Sequence, residues 1–156
     1  MAVDVAPHTV TIRPAVPADL DWLITQVKAF AAFNQTKFFL FGSEEEARDG
    51  LLGLMSQHFM RIAERGGERL GFIAAYLTTH PYNSKIRLLS EAFWWVDELH
   101  RFSSAGHRLL DEFIDFGKKN VDWITFSLLF NSPVNDKILT KRGFSKHEIA
   151  YLLECV

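Results

Sequence analysis

The sequence predicts a mixed α+β fold in which a mostly antiparallel sheet is flanked by helices. Three features carry that prediction: two early stretches with apolar residues at intervals of three and four, a succession of short β-favouring runs between residues 58 and 96, and strand-like segments alternating with helix-like ones after residue 104. The opening run HTVTIRPA alternates, is rich in β-branched residues and reads as a strand ending at Pro14. Pro17 and Asp19 then open a helix whose Leu20, Leu23, Ile24, Val27 and Phe30 form one buried stripe, and the pattern fades near Asn34. Ser43 stands three residues before Glu46, a capping box that predicts a second helix over about Ser43 to Ser56. HFMRIAER, the Gly66-Gly67 pair, RLGFIAAYLTT, a turn at Pro81 to Ser84 and KIRLLSEAFWWV read as three antiparallel strands in succession. A helix from roughly Ser104 to Asn120 places Gly106, Leu109, Leu110, Phe113, Ile114 and Gly117 on one side, against the sheet. VDWITFSLLF is a strand, Asn131 to Arg142 a short helix, and GFSKHEIAYLLECV closes the chain as one or two strands. Strand–helix–strand units in the C-terminal half call for at least one parallel pair inside the antiparallel sheet.

Composition narrows the function. A chain of 156 residues fits one domain with its own core, and 48% hydrophobic against 23% charged residues is the balance of an ordinary globular protein. The net charge of −2 provides no global positive field, so neither nucleic acid nor an anionic membrane is an expected partner. Cys155 is the only cysteine, which excludes an internal disulfide framework and fits a reducing compartment. MAVDVAPHTV has neither the basic region nor the apolar stretch of a signal peptide, and no apolar run reaches the ~20 residues of a membrane span, so a cytoplasmic location is expected. The six histidines include no close ligand pair, and no metal site is expected.

The stretch HRFSSAGHRLLDEF, starting at His100, is the most telling. The first turn of a helix has backbone donors without intrahelical partners and a partial positive charge, so it can hold an anion. Ser103, Ser104, Ala105 and Gly106 are small enough to let an anion reach the backbone, and His100, Arg101, His107 and Arg108 flank them with positive or potentially positive groups suited to phosphate. The other reading is that Ser103 or Ser104 simply caps the helix. A P-loop is excluded by the missing glycine spacing and Lys-Ser/Thr, and a dinucleotide fingerprint by the missing glycine triplet.

WWVDELHRFSSAGHRLL resembles the acetyl-CoA binding motif of the GNAT superfamily of N-acetyltransferases, Q/R-x-x-G-x-G/A after a strand ending in valine. Arg101 takes the first position and Gly106 the last, while Ser104 replaces the middle glycine. NDKILTKRGF, with Gly143 and Phe144, and TIRPAVPADLDWL are similar to the family's later helix and its opening, and the order of elements agrees over nearly the whole chain. The resemblance implies one GNAT-like domain over 1–156, with a splayed parallel pair of strands at the cofactor site.

It implies acetyl-CoA as co-substrate, with Trp95 and Val96 against pantetheine and Arg101, Phe102, Ser103, Ser104, Ala105, Gly106 and His107 around pyrophosphate. The acceptor would be a primary amine on a small molecule, peptide or protein, and homodimers, frequent in the family, are an expectation here. Glu91 is the candidate base, its bland alternative being a strand-end carboxylate paired to Arg87 or Lys85. A backbone donor near Val96 would stabilise the oxyanion. Leu139 stands where many family members carry a tyrosine acid, leaving water, Ser132 or Tyr151 as proton source, with Tyr151 otherwise a packed strand aromatic. Trp94 and Trp95, adjacent on a strand, face opposite ways. FNQTKFFLFGSEEE falls where the family's variable acceptor region lies. The alternatives are a noncatalytic acyl-CoA-binding module on the same fold, and a protein-interaction module whose basic clusters meet an acidic partner.

Overall fold

The computed structural model describes residues 9–34, 42–153 and 155. Strand β1 (Thr11–Pro14) leads through a 3-10 turn (Pro17–Asp19) into helix α1 (Leu20–Asn34). Helix α2 (Glu44–Gln57) starts where Ser43 Oγ accepts from the Glu46 N–H at 3.1 Å, the cap that the sequence predicts. Strands β2 (Phe59–Arg65), β3 (Glu68–His80) and β4 (Asn83–Val96) follow. The β2–β3 turn uses Gly66 and Gly67 at φ of 57° and 81°, the left-handed region that the pair was expected to supply. After a 3-10 turn (Glu98–His100) come helix α3 (Ala105–Asn120), strand β5 (Trp123–Thr125) and helix α4 (Lys137–Thr140).

The five strands lie in the order β1-β2-β3-β4-β5, antiparallel except for the parallel β4–β5 pair. This is the predicted mixed α+β class. Alternation sends Phe59, Ile73 and Leu89 to the face covered by α3, where they meet Leu109, Leu110, Phe113 and Ile114. Met60, Ile62 and Phe72 go to the other face, under Leu23, Ile24 and Val27 of α1 and Leu51 and Leu54 of α2. Each such fully buried side chain contributes roughly 1.5–3 kcal/mol. At Gly117 an added Cβ would lie 2.5 Å from Ile124 Cδ1, so only glycine lets α3 settle this closely on β5. The start of α1 is pinned by Asp19, fully buried, which accepts from Arg13 at 2.8 Å, from Arg69 at 2.7 Å and from the Val16 N–H at 2.8 Å.

Two details of β4 create the site. Ala75 pairs with Glu91 and Ala74 with Phe93, so Ala92 is a bulge that reverses the facing of the strand. Leu89 before it and Trp94 and Val96 after it pack toward α3, while Phe93 and Trp95 pack toward α1 and α2. The parallel ladder also ends early: it joins Leu88 to Trp123, Leu89 to Ile124 and Ser90 to Thr125, and β4 then runs on to Val96 without β5.

The C-terminal part departs from expectation. The strand predicted over VDWITFSLLF is confined to Trp123–Thr125, and the helix predicted over Asn131 to Arg142 to Lys137–Thr140. The closing strands are not formed: residues 144–153 are neither helix nor strand, and Ile149, Tyr151, Leu152 and Leu153 are exposed. A strand exists only through its ladder, and beyond Thr125 the chain has left β4 and provides no paired edge to continue it. The Gly143–Phe144 step instead caps α4, with Gly143 N–H bonding Thr140 O at 3.1 Å and Phe144 N–H bonding Leu139 O at 3.2 Å.

Candidate active site

Where β4 and the chain after β5 part, a cleft of about 1580 Å³ opens. One wall is β4 from Glu91 to Val96, the floor is the loop and first turn of α3, and the far wall is Phe126 to Val134 with Ile138 and Ile149 to Leu152. A second cavity of about 260 Å³ lies between α1, α2, β3 and β4, and Phe93 borders both.

Glu91 lies at the point of divergence, half-buried, with the Ser127 N–H donating to its carboxylate. Burial raises its pKa to about 7, against the smaller opposing effect of that hydrogen bond. The anticipated alternative, pairing to Arg87, does not occur: Arg87 bonds Asp122 at 3.2 Å through its side chain and at 2.8 Å through its N–H.

At the start of α3, Ser104 occupies the cap position without a side-chain cap bond. Ser103 takes part of that role, its hydroxyl accepting from the Ala105 N–H at 3.3 Å while donating to His100 O at 2.6 Å. The first turn closes with Arg108 N–H on Ser104 O, so the Gly106 and His107 amides have no intrahelical acceptor. No acid in the first turn offsets their partial charge. Arg101, Phe102, Ser103, Gly106 and His107 line the cleft, as do Trp95 and Val96. Ser104 is not part of its wall, and Ala105 is fully buried in the core, its methyl serving to seat the helix.

The flanking cations are not gathered as expected. His100 Nε2 turns to Glu68 at 3.0 Å, and Arg108 reaches Val10 O at 2.6 Å, each drawn to a nearer acceptor. The guanidinium of Arg101 rests over the rings of Trp95 and Phe33, 4.7 and 4.8 Å from their centroids. His107 Nδ1 stays in the cleft, 3.2 Å from Arg142 Nη2.

The two tryptophans do face opposite ways. Trp94 donates its indole N–H to Gly106 O at 3.1 Å, tying β4 to α3. Trp95 donates to Gln26 Oε1 at 3.0 Å, Gln26 Nε2 donates to Asp97 Oδ2 at 3.0 Å, and Asp97 Oδ1 accepts from the Leu99 N–H at 3.0 Å. Sequence reasoning missed Gln26 and Asp97, although a glutamine three residues after Leu23 on an apolar stripe was a usable signal.

Leu139 is buried in the core and brings no hydroxyl to the cleft. Ser132 lines it, its Oγ accepting from Val134 N–H at 3.2 Å. Tyr151 is 92% exposed on the outer wall, not packed in a strand. Of the aromatic-rich segment, residues 35–41 lie outside the described residues; Glu44 pairs with Lys28. Among the described residues no group of side chains could hold a metal ion, and no helix is long and apolar enough to cross a membrane.

This architecture, a mixed sheet splayed between β4 and β5 with a helix N-terminus at the opening, is the GNAT acetyltransferase fold. Solved structures agree with it. A transcriptional regulator from Bacillus halodurans gives a TM-score of 0.76 at 14% identity, over 94% of this chain and 100% of the other. A predicted acetyltransferase with acetyl-CoA from Clostridium acetobutylicum gives 0.74 at 16% identity, over 94% and 96% of the two chains. A ribosomal-protein-alanine N-acetyltransferase from Brucella melitensis biovar Abortus gives 0.74 at 14% identity, over 95% and 100%. No family model matches the chain, and no curated protein matches it by sequence, so the likeness is one of fold.

Proposed function

We propose that the protein is an N-acetyltransferase that moves the acetyl group of acetyl-CoA to a primary amine by direct attack. The observation that carries this reading is a single cleft holding both a carboxylate with a raised pKa, Glu91, and the Gly106 and His107 amides at the start of α3, which have no intrahelical acceptor. The pyrophosphate of the co-substrate fits the Gly106 and His107 amides, and the pantetheine arm fits the free run of β4 at Trp95 and Val96.

An alkylamine with a pKa near ~10.4 is protonated at neutral pH and must lose a proton before it attacks. Glu91, ionised at and above its pKa, accepts that proton directly or through one water. The nitrogen forms its bond to the thioester carbonyl, the oxyanion accepts from a backbone N–H near Val96, the nitrogen gives its second proton to water, and the C–S bond breaks as the carbonyl re-forms. With Leu139 in the core and Tyr151 in solvent, coenzyme A leaves as a thiolate, near the ~8.5 thiol reference, and takes its proton from water.

Calorimetric titration with acetyl-CoA, followed by thiol release with a panel of amines, tests the reading. Saturable binding that Gly106→Trp weakens, together with amine-dependent release, is the expected result. A second reading, a noncatalytic acyl-CoA-binding module, draws on the absence of a hydroxyl at Leu139; binding without release would select it. A folded protein that binds no acetyl-CoA would overturn both.

A further inference from the structure

We propose that the cleft also takes acyl-CoA donors of medium chain length, whose tail lies on Leu128, Leu129 and Phe130 beside Glu91. The inference rests on the acetyltransferase reading and widens its donor. The chemistry stays as described: the C–N bond forms, the C–S bond breaks and coenzyme A leaves as a thiolate, with a longer chain on the carbonyl carbon.

Glu91 fixes where the acyl group must be. To take the proton of an attacking amine directly or through one water, its carboxylate has to stand near the thioester carbon. The Ser127 N–H donates to that carboxylate, so the segment after Ser127 begins at the reacting centre. Leu128, Leu129, Phe130, Val134 and Ile138 line the cleft from there on. They also lie on the correct side of the sheet. Leu128 and Ile138 pack on the core under α3, and Glu91 is turned to that face by its pairing with Ala75, a residue of the same core.

The chemistry of this segment selects the occupant. Residues 126–134, FSLLFNSPV, carry no charged side chain, so they offer no ion pair to an ammonium group or a phosphate. What such a surface holds is a neutral apolar group. Leu129 and Phe130 are exposed, Phe130 completely, although Phe59, Phe72 and Phe113 are fully buried. Exposed apolar residues side by side in a cleft mark a ligand-binding groove. An acetyl group ends at its methyl carbon and leaves them bare, whereas each methylene added to the donor gains about fourfold in affinity where it is buried. The volume agrees: about 1580 Å³ exceeds the roughly 300–1,000 Å³ of ordinary small-molecule sites.

The test is calorimetric titration of the full chain with acetyl-CoA, hexanoyl-CoA and octanoyl-CoA, with no amine present. Octanoyl-CoA is expected to bind about tenfold or more tightly than acetyl-CoA, with hexanoyl-CoA between them and the heat-capacity change more negative as the chain lengthens. Leu129→Ser combined with Phe130→Ser, both at exposed positions, should remove most of the octanoyl-CoA gain and change acetyl-CoA affinity far less. Equal affinity for the three thioesters in a protein that binds acetyl-CoA overturns the inference and leaves the acetyltransferase reading standing. A gain that survives the double variant puts the tail elsewhere and overturns it as well. Should the wild type sediment as a dimer that the double variant dissolves, with affinity independent of chain length, a second copy covers these residues instead. If none of the three binds the folded protein, the acetyl-CoA reading fails and the longer donor with it.

Discussion

Along the β4 wall of the cleft, the indoles of Trp94 and Trp95 are each hydrogen-bonded to another element, and Asp97 holds the loop that follows. Across the cleft, Ile149, Tyr151 and Leu152 belong to no helix or strand and are exposed. The carboxylate of Glu91 and the amides of Gly106 and His107, which the proposed chemistry needs in fixed relation, sit on the tied wall or at its foot. The contrast teaches where substitutions should act: on chemistry and stability along β4, on little along residues 149–152.

Glu91→Gln is the largest expected effect. It should lower amine-dependent thiol release by about 10²–10⁴-fold, the scale of general base catalysis, while acetyl-CoA affinity measured by calorimetry changes little. The wild-type rate should rise with pH through about 7, where Glu91 ionises. Stability has the opposite sign. The folded pKa is raised above the ordinary glutamate value of 4.5, so between the two values the folded state holds a proton that the unfolded state has lost, and stability falls as pH rises through that window. Removing the charge should therefore raise the melting temperature above neutrality, and a variant that keeps its full rate would remove Glu91 from the mechanism.

Asp19→Asn tests the anchor behind the tied wall. It leaves Arg13 and Arg69 facing a neutral amide in a fully buried position and should cost about 3 kcal/mol in chemical denaturation. The two arginines hold the Asp19 carboxyl well below the usual range, so its stabilisation is present above the ordinary aspartate value and lost as pH falls through its own. Gln26→Leu comes next. It strips partners from the buried Trp95 indole and from Asp97, and should cost about 2 kcal/mol and weaken acetyl-CoA binding through the loosened loop. If the melting temperature drops while affinity holds, the network serves stability alone.

What was legible in the sequence follows the same divide. Helices α1, α2 and α3 and the antiparallel run from β2 to β4 are written in local periodicity, caps and the Gly66-Gly67 turn, and each formed. The early end of β5 and the unformed closing strands were not legible, because pairing is decided by which edge lies alongside and not by propensity. Small residues from Ser103 to Gly106 marked the helix start at the foot of the cleft, yet the resting place of Arg101 depends on Phe33, far away in the chain and brought near only by α1 packing on β4. Glu91 could be singled out by its place on the strand, whereas the Ala92 bulge and the Ser127 amide that set its environment could not.

The smallest effects are expected on the untied wall, and they bear most directly on the contrast. Leu152 is 63% exposed, so Leu152→Ser removes little burial and should shift unfolding free energy by no more than about 0.5 kcal/mol. Tyr151→Phe should stay well short of the ~10²-fold loss that marks a working general acid, since a hydroxyl already in water adds little to what water does. A fall of several degrees in melting temperature with Leu152→Ser would mean that residues 149–152 dock in solution, against the cleft or the edge of β5. A Tyr151→Phe variant slowed as much as Glu91→Gln would place that hydroxyl over the departing sulfur. Either result would make the far wall as much a built part of the site as β4.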